Sequence, residues 1–114
     1  MKRHIAEKWY NALKSGKYAQ VQGELSGTYF DEKEYEYKEG FCCLGVLCDL
    51  YKGKDLENVK KSLLVDGMPI DTIYKWSGLD KEYAEQLAEY NDDGRSFKQI
   101  AQYIKQKYLK NYLL

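Results

Sequence analysis

Hydrophobic positions along the chain change their spacing several times, and each change predicts an element. Ile5, Trp9 and Leu13 recur every fourth residue with Ala12 beside them, which predicts one amphipathic helix over residues 3–15 closed by Gly16. From Tyr18 to Leu25 the period drops to two: Ala19, Val21, Gly23 and Leu25 alternate with Gln20, Gln22 and Glu24, the pattern of a strand. Residues 28–30 and 35–38 carry β-favouring aromatics on either side of Asp31-Glu32-Lys33-Glu34, which predicts a hairpin with a charged tip.

Phe41 to Tyr51 is apolar almost all round, so a helix there has to be central. Its Gly45 costs about 1 kcal/mol of helix propensity against alanine, which suggests that a backbone or a ligand comes close. Residues 62–70 read as two short apolar pieces around the turn pair Asp66-Gly67. Pro69 suits the start of a short helix that runs to Trp76 and ends at Gly78. Asp80 caps a helix to about Tyr90 with Tyr83 and Leu87 inward. Ser96 with Gln99 makes a capping box, and Phe97, Ile100, Ala101, Ile104 and Tyr108 form the buried stripe of the last helix. The expectation is a single α+β domain over residues 1–114, with helices around a buried central helix at about 42–51 and a small antiparallel sheet or hairpins.

A formal net charge of zero conceals segregation. Residues 1–17 carry five basic side chains against Glu7, residues 95–114 carry five and no acid, and the stretch between them is strongly acidic. Packed side by side, the terminal helices would present a basic surface opposite an acidic one. No apolar run reaches the ~18 residues of a membrane span, and the basic N-terminus lacks a signal-peptide core, so a cytoplasmic protein without membrane partners is expected. Balanced overall charge and an acidic middle disfavour nucleic acid as a partner. The 12 tyrosines supply flat rings with a hydrogen-bonding tip, suited to a core, a ligand site or an interface.

Candidate chemistry is sparse. Cys42, Cys43 and Cys48 lie too close together to staple a domain, so reduced thiols are expected, and their spacing does not suit zinc. Cys42 and Cys43 open the central helix, where unpaired N–H groups can lower a thiol pKa or bind an anion, although buried cysteines are more often plain core. His4, the only histidine, sits in an exposed-looking basic stretch and is a poor base for a nucleophilic cysteine. Residues 89–100 fail as a calcium loop because Ile100 occupies the position that requires a bidentate glutamate. Asn91-Asp92-Asp93-Gly94 reads instead as a polar turn with a left-handed Gly94 and side chains bonded to local backbone, or else as hydrogen-bonding groups of a pocket. Phosphate-loop, dinucleotide and hydrolase signatures are missing, and neither a cofactor nor a metal is called for.

Five strings taken together resemble a family of small proteins encoded by tailed bacteriophages and prophages. They are Trp9-x-x-Ala12-Leu13, Ser15-Gly16-Lys17-Tyr18-x-Gln20, CCLGVLCDL at 42–50, Pro69 with Trp76-x-Gly78-Leu79, and Asn91-Asp92-x-Gly94-x-Ser96-Phe97-x-x-Ile100-Ala101. The resemblance implies a bacterial cytoplasm during infection and a nonstructural accessory role. Small phage proteins of that kind often counter host defence, which suggests by analogy a non-catalytic protein that sequesters a nucleotide-derived immune signal. Its expected ligand-binding residues are Tyr18, Cys42, Cys43, Trp76, Asn91 and Asp92: N–H donors at the helix start, an amide and a carboxylate, and stacking faces. Two alternatives stay open, a protein-binding inhibitor of a host or phage protein that uses the tyrosines, and a small cysteine-dependent enzyme. Association into a homo-oligomer is expected, since one small core does not readily cover this much tyrosine.

Overall fold

The computed structural model describes residues 1–24, 26–51 and 68–110. In chain order its elements are α1 (Arg3–Lys14), β1 (Ser26–Asp31), β2 (Glu36–Phe41), α2 (Cys43–Tyr51), α3 (Met68–Ser77), α4 (Lys81–Asp92) and α5 (Phe97–Ile104). A π-helical turn, Lys105–Leu109, prolongs α5. The domain is α+β, as expected: helices pack around central α2, beside a two-stranded antiparallel sheet. The expected turn at Asp66-Gly67 and residue Leu25 lie outside the described residues.

α2 is central because its sequence offers solvent almost nothing. Cys43 through Cys48 are all buried, with Val46 and Leu47 fully so. α1 supplies the matching stripe, Ile5, Trp9 and Leu13, each burial contributing roughly 1.5–3 kcal/mol. Trp9 also donates its indole Nε1–H to the Cys43 carbonyl at 2.9 Å, which fixes where α1 crosses the start of α2. α1 packs along α5 and its π turn, so the two basic terminal segments adjoin.

Local capping is as the sequence predicts. Ser96 and Gln99 form a reciprocal capping box on α5, and the Asp80 side chain accepts from Glu82 N–H at the start of α4. Gly16, Gly78 and Gly94 all take positive φ beyond helix ends. Gly78 is needed twice over, because a Cβ there would also stand 3.2 Å from Met1 Cα, where the N-terminus docks through Lys2 N–H on the Ser77 carbonyl.

Two expectations require correction. The expected strand over 18–25 does not form in its described part: residues 18–24 are a strap joined to β2 by a single parallel bridge, Gln20 to Phe41. Gly23 turns the chain away at φ +83°, and side chains from α4 rather than a ladder hold the strap. α4 also continues past Tyr90 to Asp92, which places Asn91 and Asp92 on its last turn, facing the strap instead of capping their own loop.

Candidate functional site

At the N-terminal end of α2, four of the six sequence-predicted site residues come together. Asn91 is fully buried, and its Oδ1 accepts from the Cys43 backbone N–H at 3.2 Å and from Gln20 Nε2 at 2.8 Å. Its Nδ2 donates to the Val21 carbonyl at 2.8 Å. Asp92 accepts from Gly23 N–H at 2.7 Å, and Gln20 Nε2 also reaches the Arg95 carbonyl at 2.6 Å. The amide of one residue thus closes the start of the central helix, the strap and the α4–α5 turn upon each other.

This clamp uses the donors that a bound anion would need. Cys43 N–H goes to Asn91, and Gly45 N–H points at the Cys42 sulfur at 3.4 Å. Burial pushes the thiols of Cys42 and Cys43 up from their ordinary pKa, which disfavours the thiolate form of both. Beside them opens a cavity of about 180 Å³ lined by Gly23, Glu24, Cys42, Leu44, Ala88 and Asp92. Two carboxylates on its wall repel a phosphate, and its volume falls short of the roughly 300 Å³ at which drug-sized ligand pockets begin.

The other two residues lie elsewhere. Tyr18 stacks edge-on against Phe41 and hydrogen-bonds through its hydroxyl to Asp49, on the C-terminal half of α2. Burial first, then that bond and the Asp49 charge, push the Tyr18 pKa up to about 12. Tyr18 lines a separate open groove of about 370 Å³ with Lys8, Asn11, Ala12, Ser15, Lys17 and Leu50. Trp76 packs edge-on against Tyr51 at 5.1 Å between centroids. Eight helical steps, roughly 12 Å of rise, separate Tyr51 from Cys43. One pocket does not hold all six.

A third region was not singled out by sequence reasoning. In the hairpin, Ser26 pairs with Phe41 and the register runs to Asp31 opposite Glu36, so that Phe30 lies directly across from Tyr37. Phe30 is 41% exposed, Tyr35 82% and Tyr37 76%, and both tyrosine rings stand edge-on to the Phe30 ring at 5.2 Å. The three rings pack on one another at the surface. Asp31 builds the turn beneath them, accepting from Lys33 N–H at 2.9 Å and Glu34 N–H at 3.3 Å, while its other oxygen and Glu34 hold Lys38 at 3.0 and 3.1 Å. Tyr35 sits at φ +57°, the left-handed region that a tyrosine enters at a cost. The signal available in the sequence was the run YFDEKEYEYKE, in which aromatics alternate with acids.

Among the described residues, no cluster of three or more histidine, cysteine or acidic side chains could hold a metal ion. Among them, too, no helix is long and apolar enough to cross a membrane. No curated protein and no solved structure matches the chain. A family model described as a domain of unknown function, DUF8296, matches residues 1–85, which takes in α1, the strap, the hairpin, α2, α3 and the first part of α4. By that match, over about three quarters of its length, the chain belongs to the DUF8296 family.

Proposed function

We propose that the chain is a non-catalytic binding protein that engages a cationic surface of another protein through its β1–β2 hairpin. The observation that carries this reading is the exposed ring cluster Phe30, Tyr35 and Tyr37, set among carboxylates. Aromatic rings with exposed edges and faces are the commonest anchors of protein interfaces. Residues 26–41 carry five acids and two lysines, one of which is already held by Asp31 and Glu34. In the phage context that the sequence resembles, the partner would be a host or phage protein in the bacterial cytoplasm, and binding would block it.

A second reading, sequestration of a nucleotide-derived signal, is favoured by the groove at Lys8, Asn11, Lys17 and Tyr18, where two ammonium groups and a ring could meet a phosphate and a base. It moves the candidate ligand away from the acidic cavity at α2.

A photo-cross-linking residue at Thr28, exposed on the strand face that bears Phe30, tests the first reading in the producing cell. The expected result is one dominant protein adduct that disappears when Tyr35→Ser and Tyr37→Ser are introduced together. Calorimetry with cyclic dinucleotides tests the second, and nucleotide binding lost in Lys17→Ala, together with no hairpin-dependent adduct, would replace the first reading by it.

A further inference from the structure

The hairpin carries an aromatic surface that nothing among the described residues covers, while the helices of the same chain carry a surface of opposite charge. From their exposures, Phe30, Tyr35 and Tyr37 together leave on the order of 400 Å² open to solvent. That matches the largest patches seen on monomers, which are often functional. A two-stranded hairpin is also marginal without cover on at least one face.

The complementary surface lies on α1 and α5. Residues 1–17 and 95–110 hold ten basic side chains and one acid, Glu7. α1 packs along α5, so the two basic segments adjoin, with Lys8, Lys14, Lys98 and Lys107 exposed. Contacts between ammonium groups and tyrosine rings are already part of this molecule's chemistry: Lys14 lies 4.9 Å from the Tyr10 centroid and Lys107 4.8 Å from that of Tyr83.

We propose that a second copy of this chain covers the hairpin, with Phe30, Tyr35, Tyr37 and the flanking carboxylates seated on the lysine-bearing surface of α1 and α5 of the other copy, reciprocally about a two-fold axis. The inference rests on the hairpin being a protein-binding face: a second copy holds that face in the free protein, and a host or phage partner would have to displace it. Area favours the reciprocal form. One patch of about 400 Å² is half of the roughly 800 Å² that each partner buries in a standard interface, and a two-fold exchange has every copy contribute both hairpin and helices. The symmetry closes the assembly at two, whereas a one-way contact would propagate into filaments.

Sedimentation velocity of the full chain, from a few micromolar to about 0.2 mM, in about 0.05 M and 0.5 M salt, is the test. Expected is a species of twice the 13.4 kDa chain mass whose dissociation constant rises at least tenfold at the higher salt. Tyr35→Ser with Tyr37→Ser, and separately Lys8→Glu with Lys98→Glu, should each weaken it at least tenfold while the circular dichroism spectrum stays that of the wild type. Carbodiimide cross-linking of a mixture of isotope-labelled and unlabelled wild-type protein avoids any question of variant folding. Mixed-isotope cross-links should join Glu32 or Glu36 to lysines of residues 2–17 or 98–110. A monomer under all conditions, a dimer indifferent to both variant pairs, or cross-links mapping elsewhere overturns the inference. A monomer whose Thr28 adduct with a different protein is still hairpin-dependent overturns it and leaves the reading in the previous subsection intact.

Discussion

The inner end of α2 and the β1–β2 hairpin use polar groups in opposite ways. At α2, Asn91 is fully buried and spends its amide on Cys43 N–H, Gln20 and the Val21 carbonyl, three partners contributed by two distant segments. At the hairpin, Asp31, Glu34 and Lys38 satisfy one another within one turn, and the aromatic rings are left facing water. A residue such as Asn91, which looks chemical in a sequence, can thus be structural, while tyrosines that look like core material lie at the surface. The physical difference is where desolvation has already been compensated. A buried amide already bonded to three partners has little to gain from a ligand, whereas an exposed ring still has area to lose.

Disrupting the inner region should cost most. Leu47→Ala empties a fully buried site on α2 and should lower stability by about 2–5 kcal/mol, read as a reduced urea midpoint at unchanged slope. Asn91→Ala comes next. It leaves the buried Cys43 N–H and the half-buried Val21 carbonyl without the partner they have now; at about 1–3 kcal/mol for the first and about 1 kcal/mol for the second, the expected loss is about 2–4 kcal/mol. If Asn91→Ala instead left the urea midpoint in place and abolished binding of a small molecule, Asn91 would be a ligand group and the contrast between the two regions would collapse.

How much of this was legible in the chain follows from how local each determinant is. The helices were legible because their signals are local: the Ile5, Trp9, Leu13 stripe, the Ser96 to Gln99 box and the Asp80 cap all lie within a few residues of what they specify. The strap was misread because its alternation answers to side chains some seventy positions away. Gln20 is turned inward by Asn91 and Arg95, and an inward polar residue mimics the outward half of a strand pattern. The clustering of Cys42, Cys43, Asn91 and Asp92 was anticipated, but the fact that they serve each other depends on α4 running on to Asp92. Phe30 and Tyr37 become a pair only through the register, and the turn that sets it has Tyr35 in a left-handed position where glycine or asparagine would have announced it.

A smaller effect sharpens the comparison at the middle of the molecule, where Tyr18 reaches from the strap to Asp49 of α2. Its folded pKa of about 12 stands above the ordinary 10.0, so the neutral phenol is favoured by folding. The contribution is therefore fully present below pH 10 and is lost as the pH rises from 10 toward 12. Absorbance titration at the phenolate band should show Tyr18 and Tyr83 ionising late, both near 12. Tyr18→Phe should remove one late-titrating group, and Asp49→Asn should move that group to lower pH because the acceptor loses its charge. A titration unchanged by Asp49→Asn would mean that burial alone sets the Tyr18 value.

The smallest expected effect on stability separates the regions most sharply. Tyr35→Gly removes a side chain that is 82% exposed, so it forfeits little burial, and the edge-on contact with Phe30 contributes about 0.2–1 kcal/mol as a cross-strand aromatic pair. Against this, glycine relieves the left-handed strain at φ +57°, about 1–2 kcal/mol for an L-residue, while its freer unfolded chain costs back about 0.4–1 kcal/mol. The opposing contributions nearly cancel, so the urea midpoint should shift by an amount equivalent to no more than about 1 kcal/mol in either direction. Association should nevertheless weaken at least tenfold, because the ring that leaves is the most exposed of the three. A strongly destabilised Tyr35→Gly would show that the ring cluster holds the hairpin together and is spent on folding. Unchanged stability with unchanged association would show that Tyr35 bears a strained backbone without using its ring in the contact.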